Sequence, residues 1–350
     1  MKKKLLILAV AGLALASCSN DQTVATQVNR GANEISFRTN VNGVTRAADI
    51  ISAGDLKSFN VYAFQTGQTT PAYINNVEFV GPETYSSTTK YYWPDYNLDF
   101  YAWSANSVAN GNRNTDVTPT DYHTFAVTAN ATATNQADFI YAVKTNVANP
   151  HGAVTALPFA HQESKIILKV KNSEATMAFN ITAWKIVYPD ATGTVTFNGS
   201  TPAWSENTTQ AVENVFTSGS LNVDVAVNTA VAFQVGASQI MIPQGITKPT
   251  AYTGATGTNI AGPYIAVQFT ASISSTPYLN QVWGCWPIPT TTWVAGNQYT
   301  YTIDIADGGY YETNQNDDTG LDPILANNVI KFASVTVSSW TDGGNTDVGM

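Results

Sequence analysis

The stretch Glu34-Ile35-Ser36-Phe37-Arg38-Thr39-Asn40-Val41 puts Ile35, Phe37 and Val41 on one parity and Glu34, Ser36, Arg38 and Asn40 on the other. A period of two marks a strand with one buried face. Segments of the same character are expected as strands at 58–64, 72–80, 98–104, 122–127, 138–143, 166–170 and 178–188. Further ones are expected at 221–227, 230–235, 239–242, 264–271, 281–286, 299–305 and 328–337. Gly, Pro, Asn and Asp separate them at short spacing, the pattern of a β-sandwich. Amphipathic helices of three turns are absent from this pattern, with room only for a one-turn helix around 49–55. The chain therefore reads as all-β.

Composition agrees with that reading. Only 12% of residues are charged, while Thr is abundant and there are 17 Tyr and 8 Trp. Threonine and aromatic residues suit a pleated, half-buried surface. The formal charge is −9 and becomes −12 once Lys2, Lys3 and Lys4 are removed, with no basic cluster downstream. Nucleic acid is excluded as a partner, because phosphate neutralisation needs a positive stripe.

Lys2, Lys3 and Lys4 precede an apolar run at 5–16 that is too short for a mature transmembrane helix. Residues 1–17 therefore read as a signal peptide. Leu15-Ala16-Ser17-Cys18 ends it with small residues followed by a cysteine, the arrangement of a lipoprotein whose Cys18 thiol takes a diacylglycerol and whose new amine takes an acyl chain such as palmitate. A plain secretory signal with a chance cysteine is the weaker alternative. Cys285 then has no second cysteine to pair with, so the fold rests on burial and sheet hydrogen bonds. From Cys18 onward 333 of the 350 residues remain, enough for two ordinary cores. Residues 18–32 are polar and aperiodic, a tether. A boundary at 158–161 divides the rest into an N-terminal sandwich, 33–160, and a C-terminal sandwich, 161–350.

Enzyme chemistry has little to stand on. His123, His151 and His161 are the only imidazoles, and they show neither metal-ligand spacing nor a nearby nucleophile elbow. His161 reads as a structural histidine and Cys285, between Trp283 and Trp286, as a buried thiol. No cofactor or metal is expected. The acidic loop 307–322 could gather oxygen ligands for calcium but lacks the EF-hand spacing. A solvated loop is the better reading. Trp93, Trp103, Trp204, Trp286 and Trp293 are the residues from which a glycan-stacking platform could be drawn, against ordinary core packing.

Several local patterns, in order, resemble the fimbrillin family of Bacteroidetes, the Mfa-like and FimA-like pilins. They are the lipobox ending at Cys18, Glu34-Ile35-Ser36-Phe37 followed by Thr45-Arg46-Ala47, and Ser58-Phe59-Asn60-Val61-Tyr62-Ala63-Phe64. Tyr91-Tyr92-Trp93-Pro94 leads into Leu98-Asp99-Phe100-Tyr101-Ala102, and Leu157-Pro158-Phe159-Ala160-His161 precedes Ser164-Lys165-Ile166. Last come Ile240-Met241-Ile242-Pro243-Gln244 and the segment from Trp293 to Tyr301. The resemblance implies two transthyretin-like sandwiches in tandem and a lipoprotein on the outer membrane that becomes part of a fimbria. It further implies that an arginine-specific protease cuts after the first strand, which opens a groove for the C-terminal strands of another subunit. Arg46, with Ala47 following, fits the cut better than Arg30 or Arg38. Ile35, Phe37 and Val41 are then the side chains of the exchanged strand. Ile330 and Phe332 repeat the Ile-x-Phe spacing of that strand, and beyond them the parity flips to Val335 and Val337, so these four are the candidate donor residues. Stalk, tip and anchor roles stay open, as does a host glycan or protein receptor; a tip adhesin or glycan-binding surface lipoprotein is the rival reading.

Overall fold

The computed structural model describes residues 33–41, 56–82, 84–107, 116–206, 214–248, 262–307, 310–311, 332–340 and 348–349. Cys18, Arg46, Ala47 and Ile330 lie outside the described residues, as do the tether at 18–32, the segment 49–55 and nearly all of the acidic loop at 307–322. The fold is all-β, with short 3-10 turns at Ala133–Asn135 and Ile305–Asp307.

In the first half, the strands Ile74–Val80, Ser58–Gln65, Leu98–Ser107 and Ala137–Val147 form a continuous antiparallel sheet. Ser58–Gln65 is buried at six consecutive positions, so both faces of this sheet are covered. On one face lie Val117–Pro119, Thr124–Thr128, Thr192–Asn198 and Thr201–Glu206, which form a four-stranded sheet. Phe125, Val127, Val195 and Phe197 of that sheet pack on Phe64, Trp103, Phe139 and Tyr141. On the other face lie the first strand, Phe37–Val41, and a strand not expected from the sequence, Thr155–His161. We call these the leader strand and the return strand. They run parallel, from Phe37↔Thr155 to Val41↔Phe159, and the return strand joins the central sheet only at Tyr141↔Ala160 and Ile140↔His161.

The second half is built on two facing sheets around one core. The first contains Met177–Val187, Tyr264–Ile273 and Thr276–Pro287, with shorter strands at its edges. A bulge between Ile181 and Ala183 shifts the inward parity of Met177–Val187 from Phe179 and Ile181 to Trp184 and Ile186. The facing sheet runs Thr229–Gln234, Ser164–Asn172, Asn297–Asp304, Ser334–Ser339 and Val348–Gly349. Ile166, Leu168, Val170, Tyr299, Tyr301 and Ile303 supply its inward side chains.

Each strand range expected from the alternation overlaps an observed strand; in the last, the observed strand begins at Ser334, and residues 328–331 lie outside the described residues. The expected boundary at 158–161 falls where the return strand ends and Ser164–Asn172 begins in another sheet. The hairpin at Thr192–Asn198 and Thr201–Glu206 crosses that line, since it pairs with Thr124–Thr128.

Candidate functional site

The leader strand is held from both sides. Along one edge the Thr155 N–H donates to the Ser36 carbonyl at 3.1 Å, and the parallel ladder with the return strand follows. Along the other, Ile35 N–H donates to Tyr91 O at 2.8 Å and Phe37 N–H to Tyr85 O at 3.0 Å. Tyr85 N–H returns a bond to Phe37 O at 2.8 Å, and Trp93 N–H reaches Asn33 O at 2.8 Å. Two rails of backbone groups thus face the leader, one parallel and one antiparallel.

Its side chains fill the space beneath. Ile35 is 1% and Phe37 0% exposed. The Phe37 ring meets Phe79 at 4.9 Å, Phe100 at 5.2 Å and Phe59 at 6.0 Å, all edge-on, although its backbone pairs with none of their strands. Edge-to-face contacts of this kind add about 0.5–1.5 kcal/mol each to the burial of the ring. Tyr85 closes the pocket, its hydroxyl donating to Leu56 O at 2.6 Å. Gly81 makes room for it: a Cβ there would sit 2.4 Å from the Tyr85 ring. Arg38, on the opposite parity, points to solvent, and Glu34 pairs with Lys90 at 2.6 Å. Val41 is placed by its backbone against Phe159. Tyr85 and the return strand were not legible as partners of the leader, because both contacts join residues far apart in the chain.

Of the C-terminal candidates, Val335 and Val337 lie in a strand of the chain's own second-half sheet. Ser334–Ser339 pairs antiparallel with Asn297–Asp304, setting Val335 opposite Tyr301 and Val337 opposite Tyr299. Phe332 packs on Tyr301 with ring centroids 4.9 Å apart, and Val335 and Val337 are half-buried against the second core. The next residue past the strand, Trp340, is 2% exposed and stacks face to face on His161 at 4.2 Å and 6°. The Trp340 backbone N–H donates to Gly296 O at 2.6 Å, and the Gly296 N–H donates to Glu163 O at 2.9 Å.

His161 sits 2.9 Å from Oδ1 of the fully buried Asp138, with Nδ1 turned toward it. Beside them the Glu163 Oε2 accepts the Phe139 N–H at 3.0 Å. Burial pushes the Glu163 carboxyl up to about 8, against the lowering effect of that bond, with the Asp138 and Asp116 charges adding to the rise. His161 is thus tied into the body of the fold. Among the described residues no group of three His, Cys, Asp or Glu side chains is arranged to hold a metal ion. Of the five tryptophans weighed as a sugar platform, Trp93, Trp103, Trp286 and Trp293 are buried, and Trp204 is half-buried against the cluster that holds Phe125, Val195 and Phe197. They do not make an exposed stacking surface.

A family model described as fimbrillin-like matches residues 45–340. Among solved structures, the chain is similar to a candidate cell adhesion protein from Bacteroides uniformis, with 14% identity and a TM-score of 0.46 over 89% of this chain and 100% of that one. It is also similar to the tip fimbrial protein Mfa3 from Porphyromonas gingivalis with a C-terminal truncation, with 14% identity and a TM-score of 0.39 over 88% of this chain and 100% of that one. No curated protein matches the chain.

Proposed function

This chain belongs to the fimbrillin-like family, and from that premise we propose that it is a structural subunit of a surface fimbria assembled by strand exchange. The precursor is anchored to the outer membrane through lipid on Cys18. An arginine-specific protease cuts after Arg46, the leader strand departs, and the C-terminal strand of another subunit takes its place. The observation that carries this reading is the leader strand itself: five residues before Arg46 the chain ends a strand that plugs an aromatic pocket and is bonded along both edges. A strand so placed is replaceable only by another that supplies backbone groups to both rails and apolar side chains two residues apart. Ile330 and Phe332 have that spacing, and so do Val335 and Val337.

Removing the leader leaves the Tyr85, Tyr91, Trp93 and Thr155 backbone groups unpaired beside an apolar slot. Unmade buried hydrogen bonds cost about 1–3 kcal/mol each, which favours refilling. The donor must first leave Asn297–Asp304, so the exchange moves a strand from its own sheet to a neighbour's. The family is one of structural proteins of fimbriae and adhesion, not an enzyme family.

The test compares wild type with Arg46→Gln and with the Ile330→Asp, Phe332→Asp double variant at the cell surface. The wild-type fibre subunit is expected to begin at Ala47. Arg46→Gln should remain at full lipoprotein length without fibres, and the double variant should be cut yet stay monomeric. Fibres from the double variant would remove the donor assignment, and wild-type fibres that still begin at Cys18 would remove the exchange itself.

A further inference from the structure

Resting on the exchange reading, we propose that the stack of Trp340 on His161 is a latch that keeps the C-terminal strand in its own sheet while the leader strand is in place. The segment 155–172 is the shared member. Its first part is the return strand, whose residues 155–159 are laddered to the leader and which pairs with the central sheet at two positions, with Lys144 Nζ also donating to Ala156 O at 3.0 Å. Its last part, Ser164–Asn172, runs parallel to Asn297–Asp304, the strand that carries Ser334–Ser339 on its far edge.

Trp340 bridges the junction between these parts. Its ring lies on His161, the last residue of the return strand, and the Lys165 ammonium stands 5.8 Å from its centroid. Its N–H holds Gly296, which in turn holds the Glu163 carbonyl; Ser164 Oγ donates to Val294 O at 2.9 Å. The turn at 162–163, the turn at 294–296 and the end of the C-terminal strand therefore form one bonded unit. Gly296 has a φ of +71°, a conformation that favours glycine, and its turn packs against His161 O at the end of the return strand.

Departure of the leader strips residues 155–159 of the ladder along one edge and uncovers Leu157 and Phe159, both of which pack in the leader's core. The return strand is then held to the central sheet by Ala160 and His161, by the Lys144 Nζ bond to Ala156 O at 3.0 Å and by the Gln162 N–H bond to Phe139 O at 2.8 Å. Movement there unseats Trp340, and with it the end of the donor strand. Donor release is in this way conditional on leader removal, so uncut precursors do not exchange strands with one another before they reach the site of assembly.

Hydrogen–deuterium exchange on the full, uncut chain tests the coupling without cleavage or fibres. Phe37→Ala, which empties the aromatic pocket, should speed exchange of amides in 334–340 roughly tenfold, a typical size for coupled sites, while leaving Tyr264–Ile273 unchanged. Trp340→Ala should speed exchange of the Ile35 and Phe37 amides by the same factor, since coupling is reciprocal. Faster exchange confined to the return strand in the first variant, or unaltered leader amides in the second, overturns the latch. Fibre assembly by the wild type is scored separately. Fibres without coupling would leave the exchange reading standing and remove the latch; coupling without fibres would do the reverse.

Discussion

Glu163 shows how far a single side chain can be read from chemistry and where that reading stops. Nothing in its local sequence, His161-Gln162-Glu163-Ser164, marks it as buried. It is buried because two sheets meet at this turn, and burial there raises its carboxyl from 4.5 to about 8. The folded state therefore binds this proton more tightly than the unfolded chain, and its contribution to stability is full below about pH 4.5 and lost as the pH rises through about 8. Glu163→Gln, neutral throughout and still able to accept from Phe139, should melt close to wild type near pH 5 and above it at pH 8 and beyond. Thermal unfolding at the two pH values measures this, and an identical difference at both would show that Glu163 ionises without cost. Ile35 and Phe37, by contrast, were legible as a buried pair from parity alone, whereas their partners Tyr85, Phe79 and Phe100 come from segments that only the fold brings together.

At the scale of strands, the sequence pattern found most of the long elements and missed the return strand and the 192–206 hairpin. Pro158 demotes its segment when read alone, since proline removes a ladder donor. In the return strand Pro158 sits on the outward parity, between the inward Leu157 and Phe159, and pairs with the leader's Asn40. The hairpin at 192–206 did carry a signal, Val195 and Phe197 alternating with Thr ahead of Asn198-Gly199, with Gly199 at φ +61°. The leader element has a consequence of its own. Once cut, the subunit should bind a peptide of residues 33–41 supplied in trans, and that peptide should block polymerisation. A Phe37→Asp version should bind at least about 100-fold more weakly, because it loses about 3 kcal/mol or more of aromatic burial. Fluorescence polarisation of labelled peptides measures both, and equal binding would mean that the pocket does not select its strand.

For the whole molecule, one buried cluster draws on residues from both sides of the expected boundary at 158–161. Phe197 stacks on Tyr141 with ring centroids 3.8 Å apart and meets Phe125 edge-on at 5.9 Å, and Val195 and Ile242 lie in the same cluster. Val195, Phe197 and Ile242 all follow residue 161. They cover the face of the central sheet that the leader does not, so the sheet on which the leader packs depends on residues well beyond it. Gln136 reinforces the tie: its carboxamide accepts the Ile240 N–H at 2.6 Å and donates to Gln239 Oε1 at 3.1 Å, both buried. A fragment of residues 33–160 would expose Phe125, Phe139 and Tyr141, at about 1.5–3 kcal/mol for each large side chain, a sum comparable to the whole stability of an ordinary domain. It should show no cooperative thermal transition, while the full chain does, and a sharp transition in the isolated fragment would establish a self-sufficient N-terminal sandwich. The same dependence bears on assembly. On the proposed exchange, emptying the leader's slot would leave the opposite face of the central sheet still covered by the 192–206 hairpin.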